Sequence, residues 1–516
     1  MNISDAVATH ARLTPNKIGA RDSVRSLTFA AWHERATQLA NGLLALGLTK
    51  GDRVALLAYN RVEWMEMYAG LARAGLVAVP LNFRLMTAEI DYILGHSGAV
   101  AMIVQDELIE RVEPLRAKLN LPSKVFIALG EAIGGWTSYE QILATAPLNV
   151  SPVSVLPSDM SALMYTSGTT GRPKGAVRSH EGSSLIALAT ALEMGFKAED
   201  SALLVMPMCH ANSLYFSHTF TQLGATCVID DRKSFDPETL LATLSAEKIT
   251  FTSLVPTHYI MMLGLPAEVK AKYDVSAVEK LMISSAPARK DTKLAILSFF
   301  KNGKLYELYG STEAGWVTLL RPHEQIDRLG SVGREWAGSG AIKLLNSDGQ
   351  EVPDGEVGEL FSKTPYVFDG YWNDPEKTKE AFAGQWCSVG DMALRDQDGF
   401  IHLVDRKSNM IISGGENIYP SEVEGVLGAH EKVKDVAVLG VPHDKWGEAV
   451  HAFVVLHHEV EASEEELIAW CKTRMAGYKR PQTIAFIQDE EMPRTATGKI
   501  LHRVLRQSIL QGTQKP

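Results

Sequence analysis

Residues 165–175 read YTSGTTGRPKG, and no other stretch limits the fold as much. Four small hydroxyl residues (Thr166, Ser167, Thr169, Thr170), three glycines (Gly168, Gly171, Gly175) and Lys174 are packed into eleven positions. The apolar run Ala162-Leu163-Met164-Tyr165 just before them reads as the end of a strand. A strand that empties into Gly and small hydroxyls makes a loop whose N–H groups can converge on an anion. The glycines let backbone approach phosphate closely, and Lys174 adds a point charge. The loop is not a Walker A motif, which needs Gly-Lys-Ser/Thr; here Pro173 precedes the lysine and Gly175 follows it.

A second stretch repeats the pattern. Residues 305–313, LYELYGSTE, read as a strand running into Gly310, Ser311, Thr312 and the carboxylate of Glu313. Near the C-terminus, residues 493–499 read PRTATGK and place Lys499 on a Gly-containing loop. Together these motifs resemble the adenylate-forming superfamily: acyl-CoA synthetases, peptide-synthetase adenylation domains and beetle luciferases. The motifs occur in the family's order, so the resemblance covers nearly the whole chain.

Between the motifs, helix-like and strand-like runs alternate, which favours an α/β fold with largely parallel sheets. A helix is expected from Thr28-Phe29 to Leu46, with Gly47 just past its end, and a buried strand over 203–208. His210 then falls at a strand's C-terminal mouth, where open α/β sheets bind ligands. Turn-rich short runs over 330–405 suggest a small β-subdomain. The resemblance implies a large N-terminal domain, 1–405, of stacked, mostly parallel sheets with helices plus that subdomain. A small mobile α/β C-terminal cap, 406–516, follows, with its hinge near Ser408. Ser408 and Asn409 depart from the acidic or lysine residues usual at that hinge.

The implied reaction is ATP-dependent activation of a carboxylic acid to an acyl-adenylate, with loss of pyrophosphate, then transfer to CoA. The cofactors are ATP, Mg2+ and CoA. Lys499 would bridge acid and α-phosphate, Thr312 would donate to the α-phosphate, and Glu313 would hold Mg2+, which neutralises the triphosphate. Residues 166–170 with Lys174 would hold the leaving pyrophosphate. Ser285, Ala286, Glu307, Tyr309 and Gly310 would line the adenine, Asp391 and Arg406 would meet the ribose and phosphate, and Gly414-Gly415 would face the thiol. His210 would border the acyl site and the phosphates.

Aromatic residues over 210–216, 255–259 and 309–316, among them Tyr215, Phe216, Tyr259 and Trp316, predict an apolar acid. A medium or long fatty chain and an aryl acid both stay open. One alternative is a ligase that loads a carrier protein; a catalytically silent nucleotide-binding sensor is another, opposed by the intact Thr312, Glu313 and Lys499.

The net charge of -10 argues against a general nucleic-acid surface. Four scattered cysteines without a CxxC pair fit a reducing cytoplasm. No apolar run reaches the roughly 18 residues of a spanning helix, so any membrane contact is expected to be peripheral. The sequence does not specify oligomeric state, and a homodimer stays among the expected partners.

Overall fold

The computed structural model describes residues 2–119, 121–122, 125–130, 134–149, 153–166, 173–284, 288–414, 416–494 and 500–511. They form two compact units, residues 1–342 with 362–387 and residues 343–361 with 388–516.

The first unit is built on two sheets. One runs in the order Thr137–Ser138, Phe126–Leu129, Ala101–Gln105, Arg53–Leu57, Val77–Leu81, Met160–Thr166, Lys174–Ser179. Its strands are parallel up to the last pair, which is an antiparallel hairpin. The other runs Gly315–Leu320, Lys304–Ser311, Lys280–Ile283, Phe251–Leu254, Ser201–Leu204, Thr226–Ile229, Ile18–Arg21, Ser26–Thr28. It too is parallel in the middle and closes with an antiparallel hairpin at each edge. Every residue of Val77–Leu81 and Ala101–Gln105 is buried. Both faces of these strands are covered, which is why they read as continuous apolar runs without alternation.

Helices Phe29–Ala45, Glu63–Ala74 and Ala211–Leu223 bring Trp32, Trp64, Tyr215 and Phe216 into the largest core. The sequence sets their ends. The Thr28 hydroxyl accepts from the Ala31 N–H, and Gly75 closes the Glu63–Ala74 helix at φ +67°.

The expected strand over 203–208 is shorter: it ends at Leu204. Pro207 has no N–H to give a ladder, and the Asn60 side chain takes over the released backbone. Its Nδ2 donates to Met206 O at 3.1 Å, and its Oδ1 accepts from Met208 N at 2.8 Å. The strand expected to run into Gly310 instead continues through Gly310 and Ser311, and Thr312 and Glu313 form the turn of the edge hairpin.

In the second unit, strands Val357–Ser362, Asp391–Arg395 and Ile401–Arg406 pair antiparallel. A further sheet pairs Val433–His443 with Gly447–Leu456 along their length and adds Thr483–Phe486 in parallel. Helices Pro420–Leu427 and Glu464–Lys472 cover one apolar layer, centred on Val438, Ala452 and Val454. Helix His502–Leu510 sets Leu505 against Leu439 and Phe453 in the other. No helix among the described residues is long and apolar enough to cross a membrane.

Four histidines of the first unit, His180 and His218 buried and His210 and His258 half-buried, make stability depend on pH. Burial pushes His180, His210 and His258 down to about 4 and His218 to about 3, from an ordinary value of 6.5. Each ring is neutral in the fold, whereas the unfolded chain takes up the proton below about pH 6.5. Their stabilising contribution is therefore full above 6.5 and declines as pH falls toward 4, by up to about 1.4 kcal/mol per pH unit for each ring. Urea midpoints measured between pH 7.5 and 4.5 are expected to fall along that interval. A flat profile contradicts the burial of these rings.

Candidate active site

The two Gly- and hydroxyl-rich stretches come together. Met160–Thr166 and Lys174–Ser179, which flank the first stretch, pair antiparallel with Thr166 opposite Lys174. Residues 311–315 bend between Lys304–Ser311 and Gly315–Leu320. Glycine is needed twice at this bend. A Cβ on Gly310 would sit 2.3 Å from Gly315 O, and Gly315 has φ +71° with the Tyr366 ring 2.6 Å from where its Cβ would be. The Ser311 hydroxyl completes the turn by accepting from Ala314 N at 2.9 Å.

The turn aims Glu313 at the neighbouring loop. Its Oε1 accepts from the Thr166 hydroxyl at 3.2 Å and from the Tyr371 hydroxyl at 2.9 Å. Among the described residues, Oε2 takes no hydrogen bond. Lys174 Nζ lies 4.1 Å from the centre of the Tyr371 ring. Burial lowers the Lys174 ammonium from its usual value, against the pull of Glu313. Thr166, Lys174, Thr312 and Glu313 thus form one cluster. The oxygens of Thr166, Thr312 and Glu313, with one carboxylate among them, suit a magnesium ion whose other ligands are substrate phosphates, and the Lys174 ammonium adds a second positive charge.

Beneath the cluster lies Arg178, 1% exposed. Its guanidinium donates to Thr312 O at 3.3 Å, Glu313 O at 3.1 Å and Tyr366 O at 2.6 Å. It also lies 5.4 Å from the Tyr215 ring. Sequence reasoning missed Arg178 and Tyr371. The pairing of residues 369–372 alongside 175–177, through Val177 N to Gly370 O at 3.0 Å and Trp372 N to Gly175 O at 2.8 Å, brings the tyrosine in. No local pattern in DGYW signals it.

His210 caps the helix Ala211–Leu223, and the Asn82 amide donates to its Nε2 at 3.3 Å. Held neutral, it carries its proton on Nδ1 and can donate from there. Nearby, the Asn212 amide donates to Ser284 Oγ at 2.8 Å and Ser253 Oγ at 3.0 Å, at the C-terminal ends of two parallel strands. Glu307 is buried against Lys293 as an ion pair, and burial pushes its carboxyl up. Tyr309 and Gly310 continue its strand to the turn.

In the second unit, Asp391 and Arg406 stand opposite each other on paired strands and form an ion pair at 2.5 Å. Ser408 is exposed in the short turn Lys407–Asn409. Gly414 has φ +61°, and its N–H donates to Trp446 O at 2.8 Å. Ser167, Gly168, Thr169, Thr170, Ser285, Ala286, Gly415 and Lys499 lie outside the described residues.

Two family models match the chain: AMP-binding enzyme over residues 7–372, and AMP-binding enzyme C-terminal domain over 422–499. The chain belongs to the AMP-binding enzyme family. This is the adenylate-forming superfamily that the motifs resemble, and its members here are AMP-forming ligases. A feruloyl-CoA synthase of Amycolatopsis is 37% identical over 501 residues, 96% of each chain. The long-chain-fatty-acid–CoA ligase FadD13 of Mycobacterium tuberculosis is 34% identical over 93% of each. Among solved structures, an O-succinylbenzoate coenzyme A synthetase from Bacillus subtilis, in complex with ATP and magnesium ion, has a TM-score of 0.83. It is 28% identical, and the match covers 96% of this chain and 98% of that one. The two family models meet the chain on either side of the Asp391–Arg406 pair, so Thr166, Lys174, Thr312 and Glu313 fall inside the first match.

Proposed function

We propose that this AMP-binding enzyme couples ATP cleavage to formation of an acyl-CoA from an apolar carboxylic acid. The observation that carries the reading is the Glu313 carboxylate, held against Thr166 beside Lys174 at the base of the 165–175 loop. The acid's carboxylate oxygen bonds to the α-phosphorus, and the bond to the β-phosphate bridging oxygen breaks, releasing pyrophosphate. The CoA sulfur then bonds to the acyl carbon, its proton is lost to solvent, and AMP departs. The first step brings two anions together, so it is driven by positioning and charge neutralisation. Glu313 would hold the magnesium ion, which when bound would supply charge neutralisation at the phosphates.

Lys174 and residues 166–170 hold the departing phosphates, Thr312 donates to the α-phosphate, and Lys499 bridges that phosphate and the acid. Asp391 accepts from the ribose hydroxyls, with Arg406 beside it. His210, neutral, donates at the acyl and phosphate boundary. Ser285, Ala286, Tyr309 and Gly310 line the base, and Glu307 with Lys293 anchors the strand that carries Tyr309 and Gly310. In this reading residues 406–516 act as a cap that turns about Ser408 between the two steps, bringing Gly414 and Gly415 to the thiol. The exposed Lys407–Asn409 turn supports that pivot. A cytoplasmic site of action fits four free, buried cysteines.

The buried aromatics Tyr215, Phe216, Tyr259 and Trp316 favour an apolar acid, fatty or aryl. The test is pyrophosphate release with medium- and long-chain fatty acids, benzoates, arylpropenoic acids and acetate, each with CoA or a pantetheinylated carrier protein as acceptor. Release is expected only with acid present, at least about tenfold faster with the best apolar acid than with acetate, and thioester is expected on CoA. Acid-independent release, or thioester confined to the carrier protein, contradicts the reading.

A further inference from the structure

Tyr371 is buried, and its side chain is tied at both ends. Its ring meets Phe368 edge-on at 4.9 Å, and it packs with Ala176 and Cys387. Its own N–H donates to Thr378 Oγ1 at 2.8 Å. From that fixed base the hydroxyl reaches Glu313 Oε1 at 2.9 Å, while the ring face carries the Lys174 ammonium at 4.1 Å. One side chain therefore touches both the carboxylate on one loop and the cation on the other.

We infer that Tyr371 is a positioning residue for the metal carboxylate, an inference that rests on the reading of Glu313 given above. Together with Thr166 it occupies Oε1, which leaves Oε2 without a hydrogen bond among the described residues and available to a metal ion. A hydroxyl donated to a ligating carboxylate fixes the carboxylate's orientation, and removal of such a partner commonly weakens metal binding. The ring, in turn, seats Lys174 where it faces the phosphates without pairing directly with Glu313. A tyrosine that served only the core would have a hydroxyl satisfied by whichever acceptor lay nearest, and its loss would register in stability alone.

Tyr371→Phe separates the two roles, because it keeps the ring, its packing and the Lys174 contact. Mn2+ is titrated into wild type, Tyr371→Phe and Glu313→Gln, each saturated with α,β-methylene ATP. Binding is read by electron paramagnetic resonance, alongside the thermal midpoint. Tyr371→Phe is expected to bind Mn2+ about tenfold more weakly, with a midpoint within about 2 °C of wild type. Wild-type Mn2+ affinity in Tyr371→Phe, with or without a lowered midpoint, overturns the inference, as does weakened affinity accompanied by a larger fall in midpoint. If Glu313→Gln loses Mn2+ and Tyr371→Phe does not, only the role of Tyr371 fails. If Glu313→Gln also binds Mn2+ as wild type does, the reading of Glu313 itself fails.

Discussion

Lys499→Ala is expected to lower acid-dependent ATP–pyrophosphate exchange by about a thousandfold, while turnover of supplied acyl-adenylate with CoA stays within about threefold of wild type. The asymmetry follows from where charge builds up. In the first step an anionic acid meets an anionic phosphate, and an ammonium between them cancels the repulsion as the new bond forms. In the second step AMP leaves a carbonyl carbon, and no anion has to attack the phosphate. The described residues on either side of 495–499 are held together. Arg494 and Ile500 bridge as an antiparallel pair, and Leu501 N donates to Pro493 O at 2.8 Å. Arg494 in turn pairs with Asp435, and with Asp489 at 3.4 Å. Separate assays of the two half-reactions check this. Equal loss in both would remove Lys499 from its assigned step.

Arg178→Met is expected to cut the same exchange reaction by about a hundredfold and to cost about 3 kcal/mol of stability. Methionine fills much of the apolar stem's space but donates nothing, so the carbonyls of Thr312, Glu313 and Tyr366 lose a shared charged donor. Thr312 and Glu313 are the turn itself, and a shift of a fraction of an ångström there moves the carboxylate off its target. Arg178→Lys keeps the charge but presents its donors from one nitrogen, which cannot span three carbonyls as the guanidinium fork does. It is expected to recover stability more than activity. Urea denaturation and pyrophosphate exchange on both variants check the pair of effects, and wild-type exchange in Arg178→Met would show that the turn holds without it.

Arg178 and Tyr371 also show what a linear reading leaves out. The strand ends at Thr166 and Ser311 were legible because glycines and hydroxyls cluster just after each apolar run. The parallel sheets were legible from apolar runs alternating with helical spacing, and caps such as Thr28 and Gly75 fixed helix ends. Arg178, by contrast, sits in the strand KGAVRS, where a lone arginine looks solvent-facing. It is buried only because carbonyls from residues 134 to 188 positions further on converge upon it. Tyr371 reaches Glu313 across 58 positions and through a segment with no regular pattern. The early end of the strand at Leu204 depends in the same way on Asn60, a side chain from another sheet's connection. Contacts set by tertiary closure leave no periodic trace, whereas turns and caps do.

The most direct test follows the oxygen. With an acid carrying 18O in its carboxylate, complete turnover with ATP and CoA should yield AMP containing one 18O atom, because the bond from the acid oxygen to the α-phosphorus survives when sulfur takes the acyl carbon. Label in inorganic phosphate or pyrophosphate, or AMP free of label while acyl-CoA accumulates, would contradict attack of the acid at the α-phosphorus.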